Sequence, residues 1–98
     1  MTSCYVLLFK TGYGSEGFPI GVFTTIELAQ HAISENEKTR SASYSSSGVF
    51  YEIYICSLDD YSRAIIYSET YRMTNEGRVQ VSIQDYTSGD IIYSLHKV

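Results

Sequence analysis

Regular alternation between apolar and polar residues dominates the stretch 78–86. Val79, Val81 and Ile83 share one parity, and the residues between them are polar. Because successive side chains of a strand point to opposite faces, this pattern predicts a strand with one buried and one solvated face. Other runs rich in β-branched and aromatic residues also predict strands. These runs are residues 4–10, 18–23, 49–58, 63–72 and 91–97.

One segment has helical rather than strand periodicity. Ile26, Ala29 and Ile33 recur every three to four residues, which places them on one face of a helix. Thr24 and Glu27 have the spacing of a capping box, in which each side chain bonds the backbone amide of the other residue. The pattern predicts one amphipathic helix over residues 25–37.

The inferred order of elements is β-β-α-β-β-β-β. It predicts an α+β fold, an antiparallel sheet of about six strands with one amphipathic helix on one face. The 98 residues have the length of a single domain. Within this domain, 1–98, we distinguish a ββαβ core at residues 4–60 from a C-terminal β-meander extension at residues 63–98.

The same periodicities predict the buried side chains. Glu37 is assigned to the solvent-facing part of the helix, away from Ala29 and Ile33. The expected core residues are Val6, Leu8, Val22, Ala29, Ile33, Ile53, Ile55, Val81 and Ile83.

Charge and cysteine usage limit the partners and the compartment. The chain has 7 Lys and Arg against 11 Asp and Glu, which argues against direct nucleic-acid binding, because that function needs a basic footprint. No apolar run approaches the roughly 20 residues that span a bilayer, so no membrane association is expected. Cys4 and Cys56 are expected to be reduced thiols, and the chain to be cytoplasmic.

Candidate chemical motifs are weak. Gly12, Gly14 and Gly17 match a dinucleotide fingerprint by spacing, but a strand rather than a helix follows, which favours a flexible loop. His31 and His96 have no partners at metal-ligand spacing. A Cys56–His96 catalytic pair is the remaining option, and strand thiols of this kind are usually inert. We therefore assign no catalytic residue, metal site or cofactor.

Ten tyrosines and no tryptophan are the most unusual feature of the composition. Three explanations of this tyrosine content remain possible. The tyrosines could reflect strand propensity, form a protein interface, or line a pocket in which nucleobases stack. Two arginines flank the turn that is expected between the strands of the meander. We predict a binding face on the meander formed by Tyr67, Tyr71, Arg72, Arg78 and Tyr86.

The first part of the chain has a recognisable outline. Tyr5-Val6-Leu7 opens a strand, the stretch 20–33 reads IGVFTTIELAQHAI, and a further strand ends near Leu58-Asp59. This outline resembles a group of small uncharacterised domains of bacteria and their phages, over roughly residues 4–60. The resemblance implies the ββαβ outline and a phage or mobile-element origin, and it carries over no catalytic residue. Residues 63–98 have no counterpart in the short members of that group.

These features favour a binding protein over an enzyme. We expect a non-enzymatic interaction module, encoded by a phage or mobile element, that binds and inhibits a host protein, for example one of a defence system. The alternative is a small-molecule or nucleotide-sequestering protein that uses tyrosine stacking and arginine–phosphate contacts. A small hydrolase or nuclease is the third hypothesis. A homodimer through the C-terminal meander is also expected, because so short a chain has little volume in which to bury its strand aromatics.

Overall fold

A six-stranded antiparallel sheet with one helix forms the fold. The computed structural model describes residues 3–11, 17–39, 48–58, 63–74 and 77–97, and for residues 73–74, 77–78 and 90–97 it describes the backbone alone. The strands are β1 (Ser3–Lys10), β2 (Phe18–Phe23), β3 (Val49–Ser57), β4 (Arg63–Thr74), β5 (Gly77–Asp85) and β6 (Asp90–Lys97), and the helix is α1 (Ile26–Thr39). The α+β class and the order of elements predicted from the sequence are confirmed. Gly12 and Gly14 of the expected glycine-rich loop, the serine-rich stretch 41–47 and residues 75–76 of the expected turn in the meander lie outside the described residues.

The strand order in the sheet is β2-β1-β3-β4-β5-β6. Each neighbouring pair is antiparallel. The chain leaves β2 through α1 and returns as β3 on the other side of β1, so the helix crosses over the first three strands. From β3 onward each strand pairs with the next one in sequence, which is the expected meander. In the described part of the chain, no helix is long and apolar enough to cross a membrane.

The helix begins one residue later than the capping-box pattern predicts. The Leu28 backbone amide donates to Thr25 Oγ1 at 3.2 Å, so Thr25 is the N-cap, and the capping box predicted between Thr24 and Glu27 is wrong. Glu27 then occupies the second helical position, one short of the place from which a capping-box carboxylate reaches back. It still lies in the first turn, where a negative charge is favourable.

The cross-strand register divides the side chains between two faces. The helix-side face is the one that α1 covers, and its buried residues come from β1, β3 and β4. The opposite face is called the open face here. The buried apolar residues of the helix and the helix-side face are Leu7, Phe9, Ala29, Ile33, Val49, Tyr51, Ile53, Tyr67 and Tyr71.

This core corrects part of the sequence prediction. Ala29, Ile33 and Ile53 are buried as expected. Val6 and Leu8 are only half-buried on the open face, because α1 packs over the other parity of β1, which holds Leu7 and Phe9. Ile55, Val81 and Ile83 are also half-buried.

Val22 departs furthest from the prediction, since its side chain is 64% exposed. Its neighbours Gly21 and Phe23 explain this orientation. A Cβ at Gly21 would lie 2.7 Å from the Phe23 ring, so the ring occupies the space that only glycine leaves free. Phe23 packs against the core in this way, and the alternation of the strand turns Val22 to the open face.

Candidate functional site

The five residues of the predicted binding face do not share one exposed surface. Tyr67 and Tyr71 lie on the helix-side face and are only 9% and 5% exposed. Arg72 follows Tyr71 in the strand, so it points to the open face, where it is exposed. Tyr86 lies in the turn between β5 and β6 and is 42% exposed. The side chain of Arg78 lies outside the described residues.

The two buried tyrosines belong to a polar cluster around Glu69. Glu69 lies between them on the same face of β4 and is 7% exposed. The Tyr71 hydroxyl donates to Glu69 Oε1 at 3.3 Å. Gln80 of β5 donates through Nε2 to the same carboxylate oxygen at 2.6 Å and to the Tyr71 hydroxyl at 3.1 Å. Tyr67 is hydrogen-bonded to Glu69 as well.

A second carboxylate enters the core from the end of the helix. Glu37 is fully buried, so its assignment to the solvent-facing part of α1 is wrong. The position follows the stripe of Ala29 and Ile33 at intervals of four residues, which is the signal that the sequence reading missed. The Tyr51 hydroxyl donates to Glu37 Oε2 at 2.5 Å, and Asn36 Nδ2 donates to that hydroxyl at 2.7 Å.

The name tyrosine–carboxylate cluster is used below for Glu37, Tyr51, Tyr67, Glu69, Tyr71 and Gln80. Its two halves meet where the Tyr51 and Tyr71 rings pack edge-to-face, with their centroids 5.8 Å apart. Buried carboxylates are costly unless they accept hydrogen bonds. The tyrosine hydroxyls provide such donors, which gives several of the chain's tyrosines a structural role.

Burial sets the electrostatics of this cluster. It raises the pKa of Glu69 from the ordinary value of 4.5 to about 7, against the lowering effect of hydrogen bonds from Tyr71 and Tyr67. The charge of Glu37 adds to the increase. The pKa values of Tyr67 and Tyr71 are raised by burial and by the Glu69 charge. The hydroxyls of Tyr67 and Tyr71 therefore stay protonated, and the protonation of Glu69 changes near neutral pH.

The open face has a different character. Val6 and Leu8 of β1 and Tyr54 of β3 lie on it, half-buried, and no described helix covers them. They form part of a groove with a volume of about 400 Å³. The groove is lined by Val6, Leu8, Pro19, Tyr54, Cys56 and Arg63.

Among the described charged residues of the open face, some form an ion pair and others do not. Lys10 Nζ lies 2.5 Å from Glu52 Oε1, and this pairing raises the pKa of Lys10. Arg63 and Arg72 have no ion-pair partner among the residues that the structure describes. The described part of this face is therefore positive, although the whole chain has a net charge of -4.

Both cysteines are free thiols on the open face. Cys4 and Cys56 are direct cross-strand partners in β1 and β3. The chain distance between them, 52 positions along the sequence, gave no indication of this pairing. Cys56 also lines the groove.

Potential metal ligands are dispersed in the described part of the chain, where no three His, Cys, Asp or Glu side chains are grouped to hold an ion. His31 lies on the exposed side of α1, with its Nε2 atom 3.8 Å from Glu35 Oε1. The His96 side chain lies outside the described residues, and so does most of the glycine-rich loop. Searches of protein-family models, curated proteins and solved structures found no match to this chain.

Proposed function

We propose that this protein is a non-enzymatic interaction module that binds a protein partner in the cytoplasm through the open face of its sheet. The observation that carries the proposal is the exposed apolar surface on the side of the sheet that α1 leaves uncovered. Val22 at 64% exposure is its most accessible member. Contiguous apolar surfaces of this kind mark interaction sites on small proteins.

The residues around this surface fit an interface. Tyrosine and arginine are enriched at the energetic centres of protein interfaces, and the open face has Tyr54, Arg63 and Arg72. Because the two arginines have no ion-pair partner in the described part of the chain, the complementary surface is apolar with acidic residues at its rim. The partner is therefore expected to present carboxylates beside its apolar contact residues.

The biological setting is also a proposal, and it follows from the expected resemblance of residues 4–60 to small phage and bacterial domains. In that setting the chain is encoded by a phage or mobile element, the partner is a host protein, and binding inhibits it. A defence-system protein is the class of target that we favour. Three residues of the C-terminal strands and turn are still predicted to contact the partner: Arg72, Arg78 and Tyr86.

Introduction of a charge on the open face tests the proposal. Val22→Glu is expected to abolish partner binding, because the partner would bury the new negative charge in an apolar interface. The site is exposed, so the melting temperature is expected to change little. The measurement is affinity capture from bacterial lysate with mass spectrometry, followed by binding of the purified candidate partner to wild type and variant.

Leu28→Glu is the matched control. Leu28 is 50% exposed and lies on α1, on the other side of the molecule. Capture of one protein by wild type and by Leu28→Glu, with loss in Val22→Glu, would support the open face. Equal binding by both variants would place the interface elsewhere.

Self-association is a separate expectation. The chain is expected to form a homodimer through the C-terminal strands, because β6 is the last strand of the sheet and an outer strand presents backbone groups that a second copy can pair with. Sedimentation equilibrium at micromolar concentration should give twice the 11.1 kDa chain mass. A mass of 11.1 kDa at every concentration would contradict the dimer.

A small-molecule binder is the second candidate function. Tyr67 and Tyr71 of the predicted binding face are buried in the tyrosine–carboxylate cluster, so neither ring is exposed for stacking on a ligand. Tyr54 and Arg63 favour this candidate, since both line the groove of the open face. A pocket where an aromatic ring and a guanidinium group converge is the feature that such a protein requires.

A further inference from the structure

The groove on the open face has the size of a small-molecule site. Its volume of about 400 Å³ falls in the range of roughly 300–1,000 Å³ that is usual for ligand pockets. β1 supplies Val6 and Leu8, and β2 supplies Pro19. The walls are thus mainly apolar, which suits the hydrocarbon part of a ligand rather than a sugar or a hydrated ion.

Arg63 is the cationic residue in the described part of the groove lining. Arg63 is the first residue of β4 and pairs with Cys56 in the register of the sheet. Glu52, a described carboxylate opposite Leu8 in the register, is already paired with Lys10. No described carboxylate therefore neutralises the guanidinium group of Arg63.

From this combination we propose that the groove binds a small organic anion with an apolar body. Val6, Leu8, Pro19 and Tyr54 enclose the body, and Arg63 binds the anionic head through the two parallel hydrogen bonds that guanidinium forms with a carboxylate. Burial of the hydrocarbon provides most of the affinity, and the charge pair fixes the orientation. This site does not depend on the proposed protein partner.

Titration with octanoate tests the site. Octanoate added to ¹⁵N-labelled protein is expected to shift the backbone amide signals of β1, β3 and the start of β4, with saturation. Octylammonium has the same body and the opposite charge, and is expected to bind at least tenfold more weakly. Adenosine monophosphate joins an anionic head to a polar nucleoside, and is also expected to bind more weakly than octanoate.

Two variants separate the groove from the rest of the positive face. Arg63→Gln is expected to weaken octanoate binding at least tenfold, because it removes the charge at the groove. Arg72→Gln removes an equal charge from the same face outside the groove lining and is expected to leave the affinity unchanged. Both positions are exposed, so both variants are expected to keep the amide spectrum of the folded protein.

Four outcomes would overturn the inference. They are equal binding of octanoate and octylammonium, an equal effect of the two arginine variants, shifts that do not saturate, and tighter binding of adenosine monophosphate than of octanoate. The last result would make the groove a nucleotide site. Val22 is outside the groove lining, so failure of the octanoate test and failure of the Val22→Glu test are independent results.

Discussion

Ile53→Ala is expected to lower the free energy of unfolding by about 2–5 kcal/mol. Ile53 is fully buried in the middle of β3, where it is paired with Leu7 of β1 and Tyr67 of β4. Removal of its side chain takes away burial and leaves a cavity among three strands, since neither neighbouring strand can close the gap without breaking its register. Denaturant melts of wild type and variant measure the difference.

Ile65→Ala is the control for this substitution. Ile65 is a β4 residue of the same type, but it is only half-buried and lies on the open face. Its loss is expected to cost about 1 kcal/mol, in proportion to the smaller area that it buries. Equal losses at the two positions, or a loss below about 0.5 kcal/mol at Ile53, would show that the helix-side face is assigned wrongly.

Stability is expected to fall as the pH rises from 5 to 8, with Glu69 as the main cause. The folded state raises the pKa of Glu69 from 4.5 to about 7, so between these values the folded chain binds a proton that the unfolded chain has lost. This stabilisation is complete below the unfolded pKa and is lost as the pH passes the folded pKa. The difference between the two pKa values corresponds to about 3 kcal/mol.

Glu69→Gln is expected to remove most of this pH dependence. The amide oxygen still accepts hydrogen bonds from the Tyr71 hydroxyl and Gln80 Nε2, but the buried site no longer has a charge to desolvate. Denaturant melts at pH 5, 6, 7 and 8 give the slope for each protein. Glu35→Gln is the control, because the Glu35 side chain is 52% exposed, and it should keep the slope of the wild type. An unchanged slope in Glu69→Gln would show that another group is responsible.

The order of elements could be predicted from the sequence because each element has a local signal. The alternation in β5 and the three-to-four-residue spacing in α1 are patterns that depend on no distant contact. The buried face of each strand could not be predicted in the same way. Residues 4–9 of β1 are apolar throughout, so no alternation of polar and apolar residues shows which face of the strand is exposed to solvent. The position of α1 determines that Leu7 rather than Val6 is buried.

The candidate sites depended even more on tertiary contacts. Charged residues are rarely fully buried unless they have partners, so residue type alone places Glu37 on the solvent-facing part of α1 and does not indicate that Glu69 is buried. Glu37 of α1 is bound by Tyr51 of β3, and Glu69 of β4 is bound by Gln80 of β5. The groove likewise combines residues of four strands, and no segment of the chain has a local signal for it.

β2 and β6 are the two outer strands of the sheet. Pairing of these strands between copies determines whether an assembly has a fixed number of chains. Contact between β2 of one copy and β6 of the next would be heterologous, so the assembly would keep growing unless the copies closed into a ring. Contact of β6 with β6 is isologous and ends at two copies. β2 has Pro19, which lacks a backbone donor, and an irregular register opposite Leu7 and Leu8, two features that hinder strand addition. The sheet therefore discourages polymerisation at one edge and leaves the two-fold pairing available at the other.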